Sequence, residues 1–371
     1  TITATDQGGT GLSYNETFTV TVTNVNEAPT DIALSNSTLA ENTDTTGGVA
    51  VGNLSATDVD AGDTFSYAVV GGADAAVFSI SGNQLVITDG VLDFETKNSY
   101  VVDVEVTDQG GAGLTFTRTF TITVTNANEA PTVLTLSNSN LDENVAAGTT
   151  VGTFGSTDPD SGDTSTYTLV AGTGDTDNAA FSIVGDQLRI SASPDFESQS
   201  SYDIRVRTTD AGGLSTEQTF TVTINDLNEA PTDIALSNSV LADNTDTTGG
   251  VAVGNLSATD VDAGDTFSYA VVGGADAAVF SISGNQLVIT DGVLDFETKN
   301  SYVVDVEVTD QGGAGLSFIK SFTVTITNVN EAPTDLAVDN LTVAENAAGA
   351  VIGNVSVTDP DAGDSHTYGV D

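Results

Sequence analysis

The sequence of 371 residues carries 53 Asp and Glu against 7 Lys and Arg, a net charge of −46, and it contains no Cys, Met or Trp. That balance excludes roles that need a basic surface, namely binding nucleic-acid phosphates or docking onto anionic lipid. No disulfide can form, no apolar run reaches the roughly 18–20 residues of a membrane helix, and the length predicts two to four domains at about 100–200 residues each.

The chain opens without Met inside a strand-like segment, which places its natural start further upstream. Residues 1–28 read as the last two strands of a repeat whose beginning is missing. They end on Asn24-Val25-Asn26-Glu27-Ala28-Pro29, a phrase that returns with its proline at Pro131 and Pro333 and, as D-L-N-E-A-P, at Pro231. The period of about 100 residues is too long for a solenoid unit of roughly 20–50 residues and has the size of a β-sandwich domain. The expected organisation is therefore three whole repeats, 29–130, 131–230 and 231–332, with the first strands of another in 333–371. The first and third are almost identical from Pro29 to Leu114 and from Pro231 to Leu316.

Within 29–130 seven strands are predicted: Asp31–Leu34 with Thr38–Leu39, Val49–Ala56, Phe65–Val70, Phe78–Ile80, Gln84–Thr88, Tyr100–Thr107 and Thr115–Thr125. The alternation of Tyr100-Val-Val-Asp-Val-Glu-Val106 turns apolar side chains to one face and leaves Asp103 and Glu105 in water. Phe116, Arg118, Phe120, Ile122 and Val124 share one face of the last strand. Ser81-Gly82-Asn83 marks a tight hairpin, and no segment has helical period. Short strands with frequent turn signals predict an all-β chain of tandem Greek-key, seven-stranded sandwiches, cadherin- or immunoglobulin-like, joined end to end.

Catalysis is not expected. The only histidine, His366, stands where other copies have Phe65, Ser165 and Phe267, so no Ser-His-Asp or Cys-His set can be assembled. Acidic clusters instead recur at fixed offsets. An acid followed by Asn comes after the opening strand: Glu41, Glu143, Asp243 and Glu345. D-x-D-x-G-D follows the second strand: Asp58, Asp60 and Asp63; Asp158, Asp160 and Asp163; Asp260, Asp262 and Asp265; Asp359, Asp361 and Asp364. D-F-E precedes the sixth: Asp93 and Glu95, Asp195 and Glu197, Asp295 and Glu297. An Asp closes the sixth strand: Asp6, Asp108, Asp210 and Asp310. Any one of these suits a turn, since Asp and Gly favour turns, and the linker alone could be a polar spacer stiffened by Pro. Four clusters repeated together point to calcium, which takes six to eight oxygens, more than one loop usually supplies. The third Asp of the D-x-D-x-G-D loop is the weaker candidate.

These motifs resemble those of cadherin repeats. Leu92-Asp93-Phe94-Glu95 is similar to the L-D-x-E motif, Asp58-Val59-Asp60 to the D-x-D loop and Val106-Thr107-Asp108 to A-x-D, and the likeness runs over essentially the whole chain. The linker departs from D-x-N-D-N-x-P: Asn126-Ala127-Asn128-Glu129-Ala130-Pro131 lacks the first Asp and has Asn-Glu for Asp-Asn, which leaves the number of ions per junction open. Its spelling is closer to repeats of giant bacterial adhesins. The resemblance implies calcium at each junction, held by the base of one domain, the linker and the top of the next. Its ligands would be Glu41, Asp93, Glu95, Asn128, Glu129, Asp158, Asp160 and Asp210 at the first full junction. At the second they would be Glu143, Asp195, Glu197, Asn228, Glu229, Asp260, Asp262 and Asp310. The third would use Asp243, Asp295, Glu297, Asn330, Glu331, Asp359 and Asp361, and the linker opening the first repeat would use Asn26, Glu27, Asp58, Asp60 and Asp108. The implied function is a calcium-rigidified extender of a secreted or cell-surface bacterial adhesin. Other cell-surface proteins or glycans would be reached through regions outside this sequence. The alternatives are a carbohydrate- or ligand-binding module and a non-catalytic spacer of a secreted multidomain enzyme.

Overall fold

The structure, a computed structural model, describes residues 1–370. By packing, the chain forms two compact units. One comprises residues 1–138, 152–188 and 204–220; the other comprises 139–151, 189–203 and the described residues from 221 onward.

In the first unit, strands β1 (Ile2–Thr5) and β2 (Ser13–Glu16) form an antiparallel pair. Then come β3 (Asp31–Leu34), β4 (Thr38–Ala40), β5 (Val49–Thr57), β6 (Phe65–Gly71), β7 (Phe78–Ser81), β8 (Gln84–Ile87), β9 (Ser99–Asp108) and β10 (Thr115–Thr125). They build two four-stranded sheets, ordered β3-β5-β8-β7 and β4-β10-β9-β6. The opening strand changes sheet: β3 runs antiparallel to β5, whereas β4 runs parallel to β10. Gly82, at a φ of 62°, lets a two-residue loop join β7 to β8, with Ser81 opposite Gln84.

The core lies where alternation along β9 and β10 directs it. Val102, Val104, Val106, Ile122 and Val124 are fully buried, with Phe78, Leu85, Tyr100 and Phe120 around them. Arg118, on the same face of β10, reaches the sheet margin, where its guanidinium meets Asp31 Oδ1 at 2.6 Å and the Ile32 carbonyl at 2.7 Å. In the second unit, strands between Asp233 and Thr327 repeat both sheet orders. Their core holds Phe280, Leu287, Tyr302, Val304, Val306 and Val308, and Lys320 takes the role of Arg118 toward Asp233.

Residues 1–28 hold two strands, β1 and β2, and residues 17–28 add none. The structure departs from the sequence reading in two places. Residues 333–370 form two strands, Asp335–Val338 and Val355–Thr358, where three were expected. Leu336, Leu341 and Val351 in this stretch stay exposed. Single 3-10 turns at Ala75–Val77, Asn178–Ala180 and Ala277–Val279 have no signature in hydrophobic period, being only three residues long.

Candidate metal centre

At the first full junction, all within the first unit, the turn after β4 places Glu41 inward, 4% exposed. Its carboxylate accepts the Phe94 amide at 3.0 Å and, on the other oxygen, the Ala127 amide. The D-F-E loop is thereby tied to the linker. Glu41, Glu95 and Glu129 each bring an oxygen within 4.8 Å of the others. Asp93, in the same loop as Glu95, caps its own turn, accepting the Thr96 amide and hydroxyl at 2.8 Å each.

The linker then reaches the following repeat. The Glu129 amide donates to Asp160 Oδ2 at 2.8 Å, and Asn128 Nδ2 donates to Asp210 Oδ2 at 3.0 Å. Asp158, Asp160 and Asp163 bring oxygens within 4.8 Å of one another. Clustering and hydrogen bonds thus link Glu41, Glu95, Asn128, Glu129, Asp158, Asp160 and Asp210 in a chain, while Asp93 is held on its own turn.

The second full junction, within the second unit, repeats the pattern. Glu143, 2% exposed, accepts the Phe196 amide at 2.8 Å and the Leu227 amide at 2.7 Å. Glu143, Glu197 and Glu229 cluster, while Asp195 accepts the Ser198 amide at 3.0 Å. The Glu229 amide donates to Asp262 Oδ2 at 2.7 Å, the Asp262 amide to Asp260 Oδ1 at 3.3 Å, and Asn228 Nδ2 to the fully buried Asp310 at 3.2 Å.

The third junction, in the same unit, holds Asp243 on the Phe296 amide at 3.0 Å, with Asp295 capping the Thr298 amide at 2.8 Å. The Glu331 amide donates to Asp361 Oδ2 at 2.6 Å, the Asp361 amide to Asp359 Oδ1 at 3.0 Å, and Asn330 Nδ2 to the Glu331 carbonyl at 2.9 Å. Dehydration, and after it charge from Glu331, Asp243 and Asp361, raises Glu297 above its usual carboxylate value. In the linker before the first repeat, Asn26 Nδ2 donates to Asp108 at 3.0 Å, the Glu27 amide to Asp60 Oδ2 at 2.8 Å, and the Asp60 amide to Asp58 Oδ1 at 3.0 Å.

A turn accounts for only part of this. The D-x-D backbone amide satisfies Oδ1 of Asp58, Asp158 and Asp260, yet Oδ2 of all three is buried without a hydrogen-bond partner. So are Oε2 of Glu129, Glu229 and Glu331 and Oδ2 of Asp63, Asp243 and Asp265. An orphaned buried oxygen normally costs about 1–3 kcal/mol, more for a charged group. These oxygens converge in carboxylate clusters, where dehydration and then like charge raise Glu95, Glu197 and Asp226. Glycine makes room for the arrangement. A Cβ at Gly312 would sit 2.2 Å from both Asn228 Oδ1 and Asp265 Oδ2.

Three participants escaped the sequence reading. Asp226 clusters with Glu197 and Asp262; its signal was its place at the head of the linker, where Asn24, Asn126 and Asn328 stand elsewhere. Asn24 Nδ2 donates to Asp60 at 2.6 Å. His366, expected in a strand, lies outside one, with Nδ1 3.8 Å from Asp359 Oδ2. Asp63 and Asp265 have an orphaned oxygen, whereas Asp163 Oδ1 accepts the Thr164 and Ala211 amides.

The profile of the cadherin domain matches residues 36–125, 137–225 and 244–327. Protocadherin Fat 4 of Mus musculus is 29% identical over 347 residues, covering 90% of this chain and 7% of that protein. Cadherin EGF LAG seven-pass G-type receptor 2 of Homo sapiens is 30% identical over 381 residues, covering 97% of this chain and 13% of the receptor. The chain thus spans only a small part of the length of these relatives. Among solved structures, a protocadherin gammaB7 fragment described as a cis-dimer superposes with a TM-score of 0.63 at 23% identity, covering 91% of this chain and 85% of that one. Mouse cadherin-23 domains give 0.57 at 19% identity, over 79% of this chain and 96% of that one. Both establish likeness of fold.

Proposed function

The chain belongs to the cadherin domain family, and on that premise we propose that it is a calcium-rigidified extender segment of a bacterial cell-surface adhesin. Each of 29–130, 131–230 and 231–332 is one sandwich domain in this reading, with 1–28 and 333–371 parts of two others. The spelling of the N-E-A-P linkers favours the bacterial assignment, and the location is extracellular. Cadherin repeats are non-catalytic, so the role is mechanical. Adhesive contacts with proteins or glycans fall to regions outside this sequence. No helix among the described residues is long and apolar enough to cross a membrane.

The observation that carries the reading is the set of buried, unpartnered carboxylate oxygens recurring at each junction. The donor set is all oxygen, which suits a hard cation with many ligands at about 2.3–2.6 Å. Glu41, Asp93, Glu95, Asn128, Glu129, Asp158, Asp160 and Asp210 would hold calcium at the first full junction, and their counterparts named above at the others. A bound calcium ion supplies positive charge that offsets the mutual repulsion of these acids. The chain supplies the rest: the base acid orders the linker, and the linker amide orders the D-x-D loop below it.

The test is calorimetric calcium titration joined to small-angle X-ray scattering before and after chelation. Expected are saturable binding and a scattering profile that loosens when calcium is removed. An unchanged profile would refute rigid junctions while leaving the fold intact, and absence of binding would refute the calcium assignment.

A further inference from the structure

Each acid after the opening strand is followed by an asparagine, and the calcium reading gives that asparagine no part. Asn42, Asn144 and Asn244 hold left-handed backbone, with φ of 61°, 60° and 59°. An L-residue adopts this region rarely, and asparagine is among those that tolerate it best. In all three the side-chain amide donates to Oε1 of the linker glutamate. Asn42 reaches Glu129 at 2.7 Å, Asn244 reaches Glu331 at 2.8 Å, and Asn144 reaches Glu229. In all three the other glutamate oxygen, Oε2, is buried and without a partner.

We infer that this asparagine is the positioning residue of each junction: by holding Oε1, it fixes the linker glutamate with Oε2 free for a cation. The inference rests on the calcium reading above and adds to it a residue that touches no ion. The geometry explains why the position needs both a left-handed backbone and an amide. The left-handed turn sends the side chain back toward the linker. A glutamate has three rotatable side-chain bonds, and in a cluster of like charges it would otherwise swing into water. Its own main-chain amide is already committed to Asp160, Asp262 or Asp361. Asparagine on the base side and aspartate on the far side thus grip one linker residue from opposite ends.

The test uses the full chain with Asn42, Asn144 and Asn244 replaced together, once by Gly and once by Asp. Glycine keeps the left-handed turn and removes the amide; aspartate keeps the shape and replaces the donor with a second negative charge. Two quantities are read: calcium affinity by calorimetry, and thermal unfolding in chelator. The glycine variant is expected to bind calcium roughly tenfold more weakly, the scale of one hydrogen bond to a charged group. Its melting in chelator should stay unchanged, and the aspartate variant should bind more weakly still. Native affinity in both variants overturns the inference while leaving the calcium reading in place. A loss of melting temperature in chelator that matches the loss of affinity also overturns it, since that is a purely structural role. If the unsubstituted chain binds no calcium, the calcium reading fails, and the inference falls with it.

Discussion

The junctions built on Glu143 and on Asp243 differ by one methylene at the base acid, and the difference in hydrogen bonding is larger than the change in length suggests. Glu143 spans two backbone amides, Phe196 in the D-F-E loop and Leu227 in the linker. Asp243 spends one oxygen on Phe296 and on its own neighbour Asn244. Its other oxygen, Oδ2, is buried without a partner in a side chain only 4% exposed. The longer acid ties loop to linker through protein contacts alone, and the shorter one cannot. Carboxylate oxygens have about four lone-pair directions, so an acid can accept backbone amides and still ligate a cation. In the proposed calcium reading Glu143 would do both while tying loop to linker, whereas Asp243 accepts amides only from its own loop and its neighbour and would offer Oδ2 to the cation.

The strongest way to break the comparison is Glu143→Ala. Both amides lose their acceptor in a buried place, and hydrogen bonds to charged groups are worth roughly 1.5–3 kcal/mol each. We expect a loss of about 3 kcal/mol for the second unit. The loss would appear as an earlier unfolding transition with fast hydrogen exchange at Phe196 and Leu227. A stable variant with both amides still protected would show that Glu143 does not tie the linker.

A reciprocal exchange sharpens the comparison with a smaller effect. Glu143→Asp should free the Leu227 amide, costing about 1 kcal/mol, while Phe196 stays protected. Asp243→Glu should do the reverse and bring protection to Val329. The same pair tests ligation. The Asp243 junction is expected to bind calcium more weakly than its neighbours, and Asp243→Glu to tighten it several-fold. If the longer acid tightens nothing, the assignment of Asp243 as a ligand is wrong, and Glu41 and Glu143 come into doubt with it.

How far all this could be read beforehand follows from the kind of signal each feature leaves. Alternation in Tyr100–Val106 identified the buried face of β9, because period two is a property of the strand itself. The two end segments were harder. Residues 17–23 alternate as a strand should, but a ladder needs a neighbour, and pattern alone does not supply one. For the site, recurrence exposed Glu41, Asp93, Asp158 and their counterparts as a group. It could not show that Glu41 and Glu143 tie backbone amides, since that depends on three-dimensional reach. It passed over Asn42 and Asp226 for opposite reasons. Asn42 recurs but carries no charge, while Asp226 carries charge but does not recur.

Asp226 gives the second and third junctions their smallest expected difference, in response to pH. In the second junction, dehydration and neighbouring acids raise Glu197, Glu229 and Asp226 above their usual values of 4.5, 4.5 and 3.8. The third has Asn328 at the linker head and Glu297 among its raised acids. A carboxyl raised on folding binds its proton more tightly in the folded state. The stabilisation is complete below the unfolded value and is lost as pH rises through the raised one. In chelator at neutral pH, these acids are therefore a burden on the folded junction, and mild acidification toward 4.5 should stabilise it. The gain must end lower down. The Thr298 hydroxyl and amide hold Asp295 below its usual 3.8, and stability from such a lowered acid is lost as pH falls through its folded value. Thermal unfolding in chelator should thus rise between neutral pH and about 4.5 and fall again below about 3.8. The rise should be larger for the second junction than for the third. Asp226→Asn should reduce that difference, and saturating calcium should abolish the rise altogether, because the charge is then offset without protons. A rise that persists unchanged in calcium, or survives intact in Asp226→Asn, would place its origin outside the junction carboxylates.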